Sequence, residues 1–167
     1  MKLERNAPLA RFTTLGTGGP ARALARPESL DELQEALAWA RAEGLAVEIV
    51  GLGSNLLVAD AGVDALVLKL EGELAAIAVE GERIVAGGGA KNAVALHRAR
   101  DAGLGGFEFA CAIPGTIGGG VKMNAGAYGG DFSQVLVDAL VVDADGAQTL
   151  DPAGLGLSYR HSALRPG

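Results

Sequence analysis

The chain has 167 residues and 49% of them are apolar, which suits one ordinary domain or two small lobes that bury about two-thirds of the unfolded surface. A net charge of −6 without any Lys/Arg block argues against a nucleic-acid surface and against an anionic membrane. The lack of an apolar signal region and of any apolar stretch near 18 residues, with a single cysteine, predicts a cytoplasmic protein without an internal disulfide.

The first predicted elements follow a glycine-rich patch at 13–21, T-T-L-G-T-G-G-P-A, which leads into a strand at 21–25. Ser29 and Glu32 form a capping-box pattern that begins a helix, and Gly44 ends it. The face that this helix would bury consists of Leu30, Leu33, Ala36, Leu37 and Ala40.

Two apolar runs, at 45–50 and 65–70, are predicted strands that complete a first α/β lobe, residues 1–70. Between them lies G-L-G-S-N-L-L at 51–57, a glycine loop that directly follows a strand. Such a loop presents backbone amides and short polar side chains to an anion. It lacks the third glycine of the dinucleotide fingerprint, and no G-K-[ST] occurs in the chain, so both common nucleotide motifs are excluded.

The second predicted lobe, residues 71–167, mixes hairpins and a helix in an order typical of α+β folds. The predicted elements are a hairpin of 75–80 with 83–86, a helix over 91–102 that Gly103 ends, and a hairpin of 137–143 with 147–150 around Ala144-Asp145-Gly146.

The densest glycine cluster of the chain is Ile113 to Tyr128, I-P-G-T-I-G-G-G-V-K-M-N-A-G-A-Y. Pro114 suits a first helical position, and Thr116 adds a hydroxyl beside it. A helix start leaves several N–H groups without intrahelical partners, so the segment predicts a second site for phosphate oxygens. The alternative is a tight glycine-rich connection with no ligand.

Cysteine and histidine are too sparse in this chain to suggest a metal site, because Cys111, His97 and His161 have no ligand-spaced partners. Cys111, in F-E-F-A-C-A-I-P, is expected to be a buried structural thiol. His97 is expected at the surface of the second predicted helix.

Four segments together resemble the UDP-N-acetylenolpyruvoylglucosamine reductases, the flavoenzymes of peptidoglycan precursor synthesis. They are 13–21, G-L-G-S-N-L-L-V at 51–58, G-F-E-F-A-C-A-I-P-G-T-I-G-G-G-V-K-M-N-A-G-A-Y-G-G at 106–130, and S-Y-R-H-S at 158–162. They occur in the order and at the spacing usual in that family. The resemblance implies a two-lobed α+β domain of the vanillyl-alcohol-oxidase type that binds FAD between its lobes.

The resemblance also implies which residues contact the cofactor. In the first lobe the pyrophosphate would be held by Gly51, Gly53, Ser54, Asn55 and Leu56. In the second lobe the flavin would be faced by Pro114, Gly115, Thr116, Gly118 and Gly119, with Asn124, Gly126, Ala127 and Tyr128 lining the cofactor further on.

Arg160 matches the catalytic arginine of the family, and Tyr159 beside it would support the position of the substrate. An arginine can bind the enolpyruvyl carboxylate and stabilise negative charge at the reacting centre. The implied reaction is the NADPH-driven reduction of UDP-N-acetylglucosamine enolpyruvate to UDP-N-acetylmuramate on FAD. No nucleic acid, membrane or obligate protein partner is expected.

The resemblance covers essentially the whole chain but only about the first half of a family member, whose proton donor, later glutamate and substrate domain have no match here. The 167 residues are therefore expected to be an FAD-binding portion that is inactive alone. Two alternatives stay open: a non-catalytic FAD-binding module, or another flavin oxidoreductase of the same fold. A third reading, in which the glycines only make turns, has to explain three such loops in one domain.

Overall fold

A computed structural model describes residues 2–164 and separates them into two compact units. The first unit comprises the chain up to Leu74 together with Val142–Gly146, and the second comprises Ala75–Val141 and the segment from Ala147 onward. Residue 1 and residues 165–167, the outer ends of the two predicted lobes, lie outside the described residues. None of the helices between residues 2 and 164 is long and apolar enough to cross a membrane.

The first unit is built on a four-stranded sheet whose strand order is β1-β2-β4-β3. The strands are β1 (Leu3–Pro8), β2 (Pro20–Ala25), β3 (Ala46–Ile49) and β4 (Val63–Leu68). β1 pairs antiparallel with β2, from Leu3 opposite Ala25 to Pro8 opposite Pro20, whereas β2 and β3 both pair parallel with the central β4. The carboxyl ends of three strands therefore meet at one edge, which is where loops of open α/β sheets bind ligands.

The helix α1 (Leu30–Ala42) begins and ends as the sequence predicts. Its cap is Ser29, whose hydroxyl accepts from the Glu32 N–H at 3.3 Å, while the Glu32 carboxylate accepts from the N–H of Glu28. Gly44, at φ 66°, ends the helix in the left-handed conformation. The predicted apolar face packs on the sheet except for Leu30, which lies at the first helical position and is exposed.

β1 has no counterpart in the predictions from sequence. Its residues L-E-R-N-A-P carry only three apolar side chains, and Ala7 is the only one of the six that is buried. An edge strand with one covered face leaves too little apolar periodicity to be recognised, because its stability comes from pairing with β2.

The second unit contains two hairpins, two helices and a short antiparallel pair. Its elements are β5 (Ile77–Glu80), β6 (Arg83–Ala86), α2 (Asn92–Asp101), a 3-10 helix (Glu108–Ala112), α3 (Ile117–Lys122), β7 (Gly126–Ala127), β8 (Gly130–Asp131), and most of the hairpin β9 (Ala139–Asp143) and β10 (Gly146–Leu150). Both hairpins and α2 confirm the predictions, and His97 is exposed as predicted.

Three phenyl rings form the centre of the core of the second unit. Phe107, Phe109 and Phe132 meet edge to face, with ring centroids 5.4 to 5.8 Å apart. Val121 of α3 and Leu155 pack into the same cluster. The glycine-rich helix α3 therefore packs on an aromatic core.

The tip of the β9–β10 hairpin belongs to the first unit. Val142 packs against the core under α1, and the exposed Asp145 accepts a hydrogen bond from the Arg41 guanidinium at 2.5 Å. This carboxylate raises the pKa of Arg41 above its ordinary value, first through the hydrogen bond and then through its charge. Because both groups lie in solvent, the apolar contact of Val142 matters more for the position of the tip.

Candidate functional site

In the loop at 51–57, two carbonyl groups are hydrogen-bonded within the first unit, whereas four backbone amides are not bonded to any described residue. The Gly51 carbonyl accepts from the Lys69 ammonium at 3.2 Å, and the Gly53 carbonyl accepts from the Thr14 N–H at 3.1 Å. Among residues 2–164, the backbone N–H groups of Gly51, Gly53, Asn55 and Leu56 make no hydrogen bond. Successive amides without partners in the protein can bind an anion.

Lys69 adds positive charge to this loop and was not singled out from the sequence. It directly follows β4, is half-buried, and uses one of its three N–H donors on the Gly51 carbonyl. Its place becomes apparent only when β3 and β4 are paired, with Ile49 opposite Leu68. The signal available in the sequence was a lone lysine after an apolar strand.

The glycine patch at 13–21 packs against the 51–62 segment through glycines on both sides. A Cβ on Gly53 would overlap the Phe12 carbonyl oxygen, and one on Gly62 would overlap the carbonyl of Pro20. A Cβ on Gly19 would in turn overlap the carbonyl oxygen of Asp60. These three glycines are therefore required by close backbone approach, and they hold the 51–57 loop in place.

The second glycine segment is anchored at its start by Asn92, a further residue that the sequence analysis did not select. The Asn92 side-chain amide donates to the Ile113 carbonyl at 3.2 Å, and its backbone N–H donates to the Gly115 carbonyl. Asn92 is buried, and its Oδ1 lacks a hydrogen-bond partner within residues 2–164. Because Asn92 is the first residue of α2, the start of α2 holds the loop that precedes α3.

The predicted place of Pro114 at a first helical position is wrong. α3 begins at Ile117 and its cap is Thr116, whose hydroxyl accepts from the Gly119 N–H at 3.4 Å. Pro114 instead lies in the extended loop that Asn92 holds. The buried Thr116 is a better cap because its side chain satisfies an amide that proline could not.

The amides at the start of α3 are already used within the fold, contrary to the sequence expectation. The Ile117 N–H donates to the Ala90 carbonyl at 2.8 Å, and the Gly118 N–H donates to the Gly88 carbonyl at 2.9 Å. With the Gly119 N–H on Thr116, the first turn offers no free donor. Any ligand at this helix would therefore contact its surface rather than its N-terminal amides.

The three consecutive glycines of α3 have three different surroundings. A Cβ on Gly118 would lie 2.9 Å from the Gly88 carbonyl oxygen, and one on Gly120 would overlap the Phe132 ring. Gly119 is exposed, and its Cβ would meet only the Thr116 hydroxyl at an ordinary 3.5 Å. Packing thus explains why Gly118 and Gly120 are glycines. At Gly119 no neighbour excludes a side chain, although alanine would make the helix more stable.

The segment after α3 places its predicted site residues differently. Asn124 is buried at φ 38°, while Tyr128 at φ 53° is 85% exposed. Between them β7, Gly126–Ala127, pairs with β8. Tyr128 therefore presents a whole aromatic face to solvent, and Asn124 points into the fold.

Tyr159 and Arg160 form the tip of a tight turn in which Ser158 and His161 exchange backbone hydrogen bonds at 3.1 Å. Both residues are exposed, and Arg160 has a φ of 53°. Its guanidinium donates to the Gly126 carbonyl at 3.2 Å and lies 5.9 Å from the centre of the Tyr159 ring. The fold thus brings the predicted catalytic arginine to the predicted cofactor segment, within one unit.

The expectation that Cys111 is buried is wrong. Cys111 is exposed, because the 3-10 helix directs Phe109 and Ala110 into the core and turns the next residues outward. It lines a shallow pocket of about 370 Å³ together with Glu108 and Tyr128. Phe109 and Ala110, the apolar neighbours of Cys111 in the sequence, lie on the side of the same turn that faces the core.

Comparisons with known proteins are consistent across sequence and structure. The family described as "FAD binding domain" matches residues 21–150. UDP-N-acetylenolpyruvoylglucosamine reductase 2 of Symbiobacterium thermophilum is 47% identical over 98% of this chain and 54% of its own length. The crystal structure of UDP-N-acetylenolpyruvylglucosamine reductase from Thermus caldophilus is 36% identical with a TM-score of 0.85, over 99% of this chain and 58% of that one.

A solvent-stable cholesterol oxidase, 22% identical with a TM-score of 0.62 over 89% of this chain and 32% of its own, shares the fold alone. These likenesses confirm the predicted α+β fold class and the resemblance to the reductases. The chain spans about half the length of the curated relatives that it matches.

Proposed function

Because the chain belongs to the family of FAD-binding domains, we propose that it is the FAD-binding portion of a UDP-N-acetylenolpyruvoylglucosamine reductase. The observation that carries this proposal is the 51–57 loop, in which the amides of Gly51, Gly53, Asn55 and Leu56 make no hydrogen bond among residues 2–164, whereas the carbonyls of Gly51 and Gly53 are hydrogen-bonded within the first unit. A diphosphate supplies the oxygens that such a loop lacks. On this proposal the two units are the two cofactor-binding lobes.

The residues on each unit fit different parts of FAD. On the first unit the amides of Gly51, Gly53, Asn55 and Leu56 suit the pyrophosphate, with the Lys69 charge beside them and Ser54 contributing from the same loop. On the second unit the predicted contacts are Pro114, Gly115, Thr116, Gly118, Gly119, Asn124, Gly126, Ala127 and Tyr128.

On the second unit, the flat ring system of the cofactor is proposed to lie against Gly119. Its helical surface is exposed and lacks a side chain, so a ring system can lie against the backbone. When bound, FAD supplies the hydride chemistry. The chain itself supplies shape, charge and orientation.

Arg160 would bind the enolpyruvyl carboxylate of the substrate, UDP-N-acetylglucosamine enolpyruvate. Its guanidinium has five N–H donors, and the bond to the Gly126 carbonyl uses one of them while fixing the direction of the group. The remaining donors can engage a carboxylate and stabilise negative charge that develops next to it. Tyr159, at the same tip, would limit how the substrate lies.

The proposal includes NADPH as the reductant, peptidoglycan precursor synthesis as the process, and the cytoplasm as the location. The 167 residues alone are proposed to hold FAD without turning over substrate, because they contain no match to the proton donor and the later glutamate of the family. Arg160 cannot both bind the carboxylate and deliver a proton, since it does not deprotonate in proteins.

The experiment that tests the cofactor site is an FAD titration of the 167-residue chain and of Gly119→Ala, followed by flavin fluorescence. We expect the wild-type chain to bind FAD, and Gly119→Ala to bind it at least tenfold more weakly, because the new methyl group occupies the surface against which the cofactor lies. The unliganded variant should be as stable as wild type or up to about 1 kcal/mol more stable.

The matched control is Gly105→Ala, another exposed glycine of the second unit, where a Cβ would meet only the Glu108 carboxylate at 3.4 Å. It should bind FAD as wild type does. A wild-type chain that takes up no FAD, or a Gly119→Ala variant that binds it normally, would contradict the proposed site.

A further inference from the structure

Asn124 has both ends of its side-chain amide engaged inside the second unit. Its Oδ1 accepts from the Ser133 backbone N–H at 2.9 Å, and its Nδ2 donates to the Ser158 carbonyl at 3.1 Å. The residue is 4% exposed, and its backbone φ is 38°. Asn124 therefore joins two segments that are distant in sequence, the loop after β8 and the turn that carries Arg160.

The Ser158–His161 turn has little apolar contact to hold it. Tyr159 is 90% exposed, and Arg160 and His161 are exposed as well. The turn is attached instead by polar contacts: the Asn124 amide, the Arg160 guanidinium on the Gly126 carbonyl, and the Ser162 hydroxyl, which donates to the Lys122 carbonyl at 2.6 Å. Of these, only the Asn124 bond acts on the backbone of the turn itself.

We propose that Asn124 is a positioning residue that fixes the Ser158–His161 turn and thereby aims the Arg160 guanidinium. This inference rests on the proposed function, in which Arg160 binds the substrate carboxylate. It gives Asn124 a role that acts through Arg160, in addition to its predicted place along the cofactor.

The requirements at this position select asparagine among the amino acids. A φ of 38° is adopted most readily by glycine and, among residues with a side chain, by asparagine and aspartate. The Ser133 N–H takes an acceptor, and the Ser158 carbonyl, which also accepts from the His161 N–H, takes a second donor. Of those three residues only asparagine supplies both. A buried amide with both partners satisfied also gives a defined orientation.

The test is the backbone dynamics of Asn124→Asp in the 167-residue chain without FAD. Aspartate keeps the shape, the φ and the acceptor for Ser133, but its carboxylate replaces the donor to Ser158 with a repulsive contact. We expect the amides of Ser158 and His161 to exchange hydrogen at least tenfold faster. The backbone order parameters of Tyr159 and Arg160 should fall from about 0.85 to below about 0.6, while the Ser133 amide keeps its protection.

The control is Ser133→Ala, which removes the Ser133 hydroxyl bond to Asp131 but leaves the backbone N–H on Asn124. The turn should keep its wild-type exchange and order in this variant. If Asn124→Asp leaves the turn rigid, or loosens Ser133 equally, Asn124 is a general support of the loop and the inference is overturned.

A second variant, Asn124→Gly, keeps the inference testable if aspartate prevents folding. Glycine relieves the positive φ and removes both hydrogen bonds, so both Ser133 and the turn should become mobile, and an ordered turn would again overturn the inference. Since these readouts need neither FAD nor substrate, their outcome is separate from the FAD titration, which alone tests the cofactor proposal.

Discussion

Replacing Gly53 with alanine is expected to lower the free energy of unfolding of the first unit by about 3 kcal/mol. The φ of Gly53 is 66°, which costs a residue with a Cβ about 1 to 2 kcal/mol. The Cβ would also overlap the Phe12 carbonyl oxygen, so the loop must move away. That movement breaks the bond from the Thr14 N–H to the Gly53 carbonyl, worth about 1 kcal/mol.

The measurement is urea unfolding followed by the fluorescence of Trp39, the single tryptophan of the chain, which packs against the core under α1. Gly44→Ala is the matched control, because Gly44 has the same φ of 66° with no atom near its Cβ. Gly44→Ala should lose only the cost of the positive φ, about 1 to 2 kcal/mol. Equal losses in the two variants would show that the contact with Phe12 contributes nothing.

Replacing Gly120 with alanine is expected to destabilise the second unit by about 2 kcal/mol. The new Cβ would overlap the Phe132 ring, which is buried and held edge to face by Phe107 and Phe109. Overpacking costs about 1 to 3 kcal/mol, and the upper end is expected here because the Cβ would overlap a carbon of a packed ring. The gain in helix propensity, about 1 kcal/mol, then leaves a net loss of about 2 kcal/mol.

Calorimetric melting of Gly120→Ala beside Gly119→Ala measures the contrast between two adjacent positions. Gly119→Ala should melt at or above the wild-type temperature, and Gly120→Ala several degrees below it. If both variants melt alike, the two glycines do not differ in their surroundings as the structure shows. The pair also separates folding from binding, since Gly119→Ala is expected to lose FAD without losing stability.

The local signals in the sequence were sufficient for most of the regular elements. The Ser29 cap, the apolar spacing of α1 and the left-handed Gly44 are each determined within a few residues of the chain, so α1 was predicted to within one or two residues. The hairpins around Gly81 and Asp145 are likewise determined by a few neighbouring residues. The loop at 51–57 and the loop before α3 were likewise predicted as loops from their glycines.

Contacts between distant segments explain what was missed or wrong. β1 is a strand because β2 lies beside it, and Cys111 is exposed because a 3-10 turn directs Phe109 inward. The amides at the start of α3 are hydrogen-bonded because the carbonyls of Gly88 and Ala90 lie beside them. Each outcome depends on a partner more than ten residues away or on which side of a turn faces the core.

The roles of the predicted site residues remain predictions, but the structure shows surroundings for two of them that the sequence did not indicate. In the segment 118–120 the sequence shows three equivalent glycines, and only the fold separates the exposed Gly119 from the two that packing requires. Asn124 is a polar residue in a glycine-rich run by sequence and a buried connector in the fold.

By itself, the sequence determined the family, the α+β class, the helix caps and the glycine loops, because these depend on local spacing and on residue types that few other folds combine. The tertiary structure alone decided which loop amides stay unpaired, which glycines have open surfaces, and which side chains hold the Arg160 turn. Those properties are set by contacts across 34 to 42 positions of the chain, such as Gly53 with Phe12, Asn124 with Ser158 and Gly62 with Pro20, and no local pattern encodes them.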